Sequence, residues 1–262
     1  MATTQNGIAL ITGGTSGIGA ASAKAFAARG YDLLLTYRRA HDRAAEAKQM
    51  LETEYGVKVV TVGGDLVKDE VVDSVFAARD EHFAGRPVEL FLHCAGLYIE
   101  GTMGEQLAGN ANLESYDYYQ EIYPKTFVRF VERILPDMED GKGRLCALSS
   151  PGCNTGVRPR PGYDFPGQAK ASLEVISRYY AVHLAPRRIT CNIVLPGITA
   201  TNGWEGVKVT REMLDQFAEQ RSPMKAVLEP EDIANAVDFL MSDRGRFITG
   251  MNLNVDAGSH LS

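Results

Sequence analysis

The sequence predicts an α/β protein in which one doubly wound parallel sheet carries helices on both faces. Two patterns point to this. Short apolar runs alternate with segments of helical periodicity along the whole chain, as expected of successive βαβ units. The first apolar run leads directly into a glycine-rich turn and then a helix, an arrangement suited to receiving a pyrophosphate. No internal repeat or low-complexity linker breaks the alternation, so residues 1–262 read as a single domain.

Residues 7–12 form the first predicted strand. The turn Gly13-Gly14-Thr15-Ser16-Gly17-Ile18-Gly19 follows, and residues 20–29 form a helix closed by Gly30. Glycines let the backbone turn tightly and approach a pyrophosphate, whose charge is met by the free N–H groups and dipole of the helix N-terminus. Gly13, Thr15, Ser16, Ile18 and Gly19 are therefore candidate cofactor-binding residues. Residues 32–36 form the second strand. At its end, a carboxylate would accept hydrogen bonds from the adenosine ribose of NAD, but the chain has Thr36 followed by Tyr37, Arg38 and Arg39. A carboxylate repels a 2′-phosphate, whereas a guanidinium binds one bidentately. NADP(H) is favoured over NAD(H), with Arg38 and Arg39 as its candidate partners.

Residues 44–54 read as a helix stopped by Gly56, and residues 57–62 as the third strand, running into Gly63-Gly64-Asp65-Leu66. Asp65 is placed either to cap the next helix or to accept a bond from an adenine amino group, with Leu66 beside it. A helix over residues 69–83 and a strand over residues 90–94 lead to Ala95-Gly96, small enough for a cofactor to lie against the backbone. Residues 97–113 are irregular. A long helix is expected over residues 114–135, kinked or begun at Pro124, followed by a charged, solvated connector at residues 137–142. The fifth strand, residues 144–148, ends at Ser149-Ser150. A loop rich in glycine, proline and arginine at residues 151–161 precedes a strongly periodic helix over residues 168–184. Residues 189–195 form the sixth strand, followed by Pro196-Gly197-Ile198-Thr199. Helices at residues 210–219 and 230–241 and a strand at residues 251–255 complete the chain. Glu231 and Asp238 read as solvated helix charges. The strand ends Gly13, Thr36, Asp65, Ala95, Ser150 and Pro196 should gather on one side, where ligands bind in such sheets.

A net charge of −6 disfavours a nucleic acid or a membrane surface as partner, and no apolar run reaches the ~18 residues needed to cross a bilayer. The four cysteines are scattered, without metal-ligand spacing, and read as reduced thiols of a cytoplasmic protein. Residues 1–6 lack the basic start of a secretory leader.

These motifs resemble the short-chain dehydrogenase/reductase family. The likeness rests on Thr12 to Gly19, Ala95-Gly96, Ser149-Ser150, Lys170, Pro196-Gly197 and Asp256-Ala257-Gly258, and it extends along essentially the whole chain. It implies a Rossmann fold, an NAD(P) cofactor, hydride transfer and a homo-oligomer, usually a tetramer or dimer. It implies cofactor contacts at Pro196, Ile198 and Thr199 as well as at the glycine turn and Ala95-Gly96. Three positions depart from the commonest family pattern. His93-Cys94 stands for Asn-Asn, Pro166 for the tyrosine four residues before Lys170, and Tyr123 for a mid-helix asparagine.

Tyr163 lies seven residues before Lys170, a spacing that resembles the enoyl-acyl-carrier-protein reductases of this superfamily; Ala169 to Glu174 add to the likeness. In an enoyl thioester, charge develops on an oxygen further from the hydride path than in a ketone. A donor for that oxygen must therefore stand further out. Tyr163 is the candidate hydrogen-bond donor, Lys170 the holder of the nicotinamide ribose, and Ser150 an orienting hydroxyl. The expected function is NADP(H)-dependent reduction of an activated double bond, with an acyl thioester or other small molecule as substrate. Two alternatives stay open: a carbonyl reductase with a rearranged site, and a catalytically silent nucleotide-binding protein. His93 reads as a satisfied core histidine, and Trp204 as either a pocket wall or a packing anchor. Arg158, Arg160, Arg187 and Arg188 offer a local basic patch for an acidic carrier.

Overall fold

A computed structural model describes residues 7–84, 86–96, 107, 109, 111–151, 153, 159 and 162–261, without the side chains of residues 205 and 206. Most of the irregular stretch at residues 97–113 and of the loop at residues 151–161 lies outside the described residues, as do Arg158 and Arg160.

The strands are β1 (Ile8–Thr12), β2 (Asp32–Tyr37), β3 (Val59–Gly63), β4 (Val88–His93), β5 (Arg144–Leu148), β6 (Thr190–Pro196) and β7 (Asn252–Val255). All pair in parallel, in the order β3-β2-β1-β4-β5-β6-β7. The order reverses between β1 and β4, which opens the crevice where ligands sit in such sheets. Every residue of β1, β4 and β5 is buried, because helices cover both faces and leave no side of the strand for water. Alternate residues feed different cores. Ile8 and Leu10 join one apolar cluster, while Ala9 and Ile11 join another on the opposite face.

The principal helices are α1 (Gly17–Ala28), α2 (His41–Tyr55), α3 (Asp69–His82), α4 (Leu113–Gln120), α5 (Thr126–Ile134), α6 (Asp164–Leu184), α7 (Arg211–Arg221) and α8 (Pro230–Leu240). None among the described residues is long and apolar enough to cross a membrane. The expected helix over residues 114–135 is divided by a π turn, Glu121–Lys125, containing Pro124. Pro124 has no N–H to give the preceding turn, and the N–H of Thr126 reaches back to the carbonyl of Glu121. The wider turn accommodates the proline without ending the helix.

The connector at residues 137–142 is not merely solvated. Met138 is buried, Asp137 pairs with Arg79 at 3.1 Å, and Asp140 pairs with Arg187 at 2.7 Å. Arg187 also donates to the carbonyl of Leu135 at 3.1 Å, so it anchors a chain reversal and does not stand free in a basic patch. Asp238 is likewise committed: it accepts from Arg29 at 2.9 Å and ties α8 to α1.

Candidate active site

The cleft opens at the C-terminal ends of β1, β4, β5 and β6. Its floor begins with the glycine turn. Gly13 has φ +68°, a left-handed conformation natural to glycine. Its N–H donates to Thr36 Oγ1 at 3.2 Å, and that of Gly14 to the Thr36 carbonyl at 3.1 Å. A Cβ on Gly19 would lie 2.1 Å from the Gly13 carbonyl oxygen, so Gly19 is what lets α1 pack directly on the turn. Ser16 precedes α1 with no capping bond from its own side chain. Ser16, Gly17 and Ile18 line the cleft, whereas Thr15 is buried behind it. A helix N-terminus opening onto a cleft, behind a cradle that side chains would fill, fits the pyrophosphate of a dinucleotide.

At the edge of this cradle, Thr36 is buried at 2% exposure, and no carboxylate takes its place. Arg38 and Arg39 are exposed. Asp65 does not cap α3. It accepts from the Tyr118 hydroxyl at 3.1 Å and pairs with Arg38 at 3.0 Å. α3 begins after Lys68, with no side-chain cap. Proximity to Asp65 raises the pKa of Tyr118, as does burial, the larger cause. Leu66 is a core residue whose carbonyl accepts from Thr126 Oγ1 at 3.3 Å. Asp65 and Leu66 thus link the end of β3 to α4 and α5.

His93 closes β4 and is fully satisfied. Its Nε2–H donates to the Ile122 carbonyl at 3.0 Å, which leaves Nδ1 to accept from Thr12 Oγ1 at 2.8 Å. Thr12 Oγ1 in turn accepts the N–H groups of Cys94 and Ala95, both at 3.1 Å. Burial holds the imidazole neutral, with its pKa lowered to about 4. Cys94, which lines the cleft, is a neutral thiol pushed up to about 12, mainly by burial.

Tyr163, Ser150 and Lys170 meet at the centre. α6 begins at Asp164, two residues before Pro166, so the proline falls where helix N–H groups have no partner anyway. Tyr163 is the N-cap residue, and its carbonyl accepts from Gly167 N–H at 2.8 Å. A Cβ on Gly167 would lie 3.2 Å from Tyr163 Cδ1; the glycine thus lets the tyrosine ring rest on the helix. Ser150 Oγ and Tyr163 Oη are 2.9 Å apart. Lys170 Nζ donates to Ser150 Oγ at 3.0 Å and to the Ser149 carbonyl at 3.2 Å.

Glu174 adds a buried carboxylate beside the cluster. It is 4% exposed, accepts from the Ser149 hydroxyl, and accepts from Asn252 Nδ2 at 2.7 Å. The only sequence signal was a carboxylate on the apolar face of α6.

The far wall comes from the segment after β6. Pro196 and Thr199 line the cleft, while Ile198 turns away into a small cluster with Leu214, Ala218 and Trp204. Trp204 does both jobs proposed for it. It packs in that cluster, donates from Nε1 to the Thr199 carbonyl at 2.7 Å, and still lines the cleft. Thr201 and Asn202 line it too, without a sequence signal of their own. Among the described residues no cluster of metal-ligating side chains occurs.

The chain matches a family model described as enoyl-(acyl carrier protein) reductase over residues 13–260. It is 30% identical to the uncharacterized oxidoreductase YmfI of Bacillus subtilis, covering 98% of this chain and 100% of that protein. It is also 30% identical to the enoyl-[acyl-carrier-protein] reductase [NADH] FabI of the same organism, over 76% of this chain and 74% of that one. The crystal structure of L-sorbose reductase from Gluconobacter frateurii, complexed with NADPH and L-sorbose, superposes with a TM-score of 0.82 at 27% identity, covering 98% of each chain. Glycine cradle, parallel sheet order, hydroxyl–lysine cluster and family match agree: the chain belongs to the short-chain dehydrogenase/reductase family, as an NAD(P)-dependent oxidoreductase.

Proposed function

We propose that the protein reduces the activated C=C bond of an enoyl thioester with NADPH. The observation that carries this reading is the hydroxyl cluster at the head of α6. Tyr163 stands seven residues ahead of Lys170, and its hydroxyl meets Ser150.

Bound NADPH would supply a hydride. The glycine turn, Ala95-Gly96, Pro196 and Thr199 would hold it, and Lys170 would take the nicotinamide ribose. Lys170 donates to Ser150 Oγ, and the Ser150 proton is then free to point at Tyr163 Oη. The Tyr163 proton is left for the thioester oxygen, where negative charge develops. Every donor in the chain thus points toward the substrate. Trp204 and the neighbouring wall would keep water from the reacting carbons.

The preference for NADPH rests on Thr36, Arg38 and Arg39. A buried threonine offers a 2′-phosphate no repulsion, and the exposed guanidinium of Arg39 can pair with it. The FabI relative is named for NADH, so this preference rests on the chain's own residues. A homo-oligomer, tetramer or dimer, is the expected form in a cytoplasmic setting with reduced thiols. α6 presents Val175, Tyr179 and Val182 exposed on its surface, and light scattering on the purified protein tests the assembly.

The second reading, reduction of a carbonyl, has its own support: two hydroxyls 2.9 Å apart can both donate to one ketone oxygen. NADPH oxidation in parallel with crotonyl and acetoacetyl thioesters separates the two. Turnover of the enoyl compound alone bears out the first reading. Turnover of the keto compound alone replaces it with the second.

A further inference from the structure

We propose that Tyr123 is a positioning residue: its ring face holds the Lys170 ammonium in place for the cofactor ribose. This rests on the reading of Lys170 as the ribose-holding group.

Lys170 Nζ lies 4.9 Å from the centroid of the Tyr123 ring, within the range at which an ammonium is attracted by an aromatic quadrupole. Two of its three protons go to the Ser149 carbonyl and Ser150 Oγ. Those bonds fix the ammonium from the β5 side, and the ring supports it from the opposite element.

The ring is itself held firmly. It stacks on Tyr119 with centroids 6.0 Å apart and planes 4° from parallel. A Cβ on Gly96 would come within 2.6 Å of Tyr123 Cε1, so the ring lies directly against the backbone at the end of β4. Tyr123 is 5% exposed and still reaches the cleft.

The backbone beneath the ring is set by two neighbours. In an α-helix the Ile122 carbonyl would accept from Thr126 N–H. Here that N–H goes back to Glu121 in the π turn, and His93 Nε2–H takes the Ile122 carbonyl at 3.0 Å. Pro124 and His93 thus fix the turn that aims Tyr123 at Lys170. An aliphatic side chain of similar size could fill the space, but it would offer the ammonium no π face.

Trp204 is the sole tryptophan and lines the same cleft, so energy transfer from it reads NADPH binding without turnover. Tyr123→Phe should bind NADPH as the wild type does, and Tyr123→Leu about 2- to 30-fold more weakly. Fluorinating the ring of the Tyr123→Phe protein step by step weakens the π face at nearly constant size, and affinity should fall with each step. That series decides the matter even where Tyr123→Leu fails to fold. Lys170→Met is the control. Undiminished affinity across the fluorinated series, with Lys170→Met weakened, overturns the role of Tyr123. Wild-type affinity in Lys170→Met overturns the reading of Lys170 itself, and the proposal with it.

Discussion

Replacing Tyr163 with phenylalanine removes one oxygen and little else. The ring keeps its place over Gly167, where a Cβ would already be 3.2 Å away. Lys170 keeps both of its bonds, to Ser149 and Ser150. Ser150 loses one partner and retains the other. The stability loss should be that of one neutral hydrogen bond, about 0.5–1.5 kcal/mol. Turnover should fall much further, by about 10²–10⁴-fold, because a positioned donor is missing where charge develops. That is about 3–6 kcal/mol of barrier at ~1.4 kcal/mol per decade. The assay is steady-state NADPH oxidation with an enoyl thioester, run beside NADPH binding and a thermal melt. Binding should stay within about threefold, since Tyr163 does not hold the lysine. A turnover loss below threefold on a good substrate removes Tyr163 from the mechanism. An equal loss in NADPH affinity would make it a cofactor ligand instead of a donor. Ser150→Ala should give a smaller loss of the same sign, because it breaks the link between Lys170 and Tyr163.

Arg38→Ala with Arg39→Ala should weaken NADPH by about 10- to 100-fold, the scale of a lost charged hydrogen bond or two, and leave NADH nearly untouched. Arg39→Ala alone should carry the larger share, since Arg38 already pairs with Asp65; equal losses for both cofactors would reject the NADPH assignment. His93 makes stability pH-dependent. Its folded pKa is lowered to about 4 from an unfolded 6.5, so the native state binds fewer protons than the unfolded one between these values. The contribution is complete above pH 6.5 and is lost as pH falls toward 4, by about 2 kcal/mol at pH 5. Urea midpoints at pH 7.5 and 5 should show this loss in wild type and a smaller one in His93→Gln. Gly19→Ala should lower both melting temperature and NADPH affinity, with a cost of about 1–3 kcal/mol, because its Cβ would meet the Gly13 carbonyl at 2.1 Å. Wild-type behaviour would mean that the turn can shift freely. Gly167→Ala should gain about 0.5–1 kcal/mol of helix preference yet lose turnover by displacing the Tyr163 ring, which paired melts and kinetics would resolve.

Parts of the site held by local chemistry were legible in the sequence. The glycine turn sits between a strand and a helix that are contiguous with it, and strands buried on both faces leave continuous apolar runs. The parts set by distant partners were not. Pro124 announced a disturbance, but the π turn also depends on His93, 29 residues away at the end of another strand. Asp65 reads locally as a cap for α3, but its carboxylate goes to Tyr118, 53 residues on. The Leu66 side chain joins the core only where helices pack over β3, which local sequence does not announce. Trp204 is held by a cluster that forms only when α7 folds back over the segment after β6.

The seven-residue spacing itself follows from helix geometry once Ser150 is included. Seven residues at about 100° each return to nearly the same face, about 10 Å along the axis. Tyr163 and Lys170 therefore point to the same side but stand too far apart in register to pair as residues one turn apart would. A tyrosine at position 166 would have been one turn from Lys170. Pro166 occupies that place, in the first turn, where the lack of an N–H costs nothing. Ser150, delivered from the end of β5, bridges the gap, 3.0 Å from the lysine and 2.9 Å from the tyrosine. A hydrogen-bond chain thus runs from Lys170 through the serine to the Tyr163 hydroxyl. On the proposed enoyl reading, the tyrosine would stand farther out along the cleft and still be linked to the lysine, the placement that an oxygen conjugated to the reacting carbon would require.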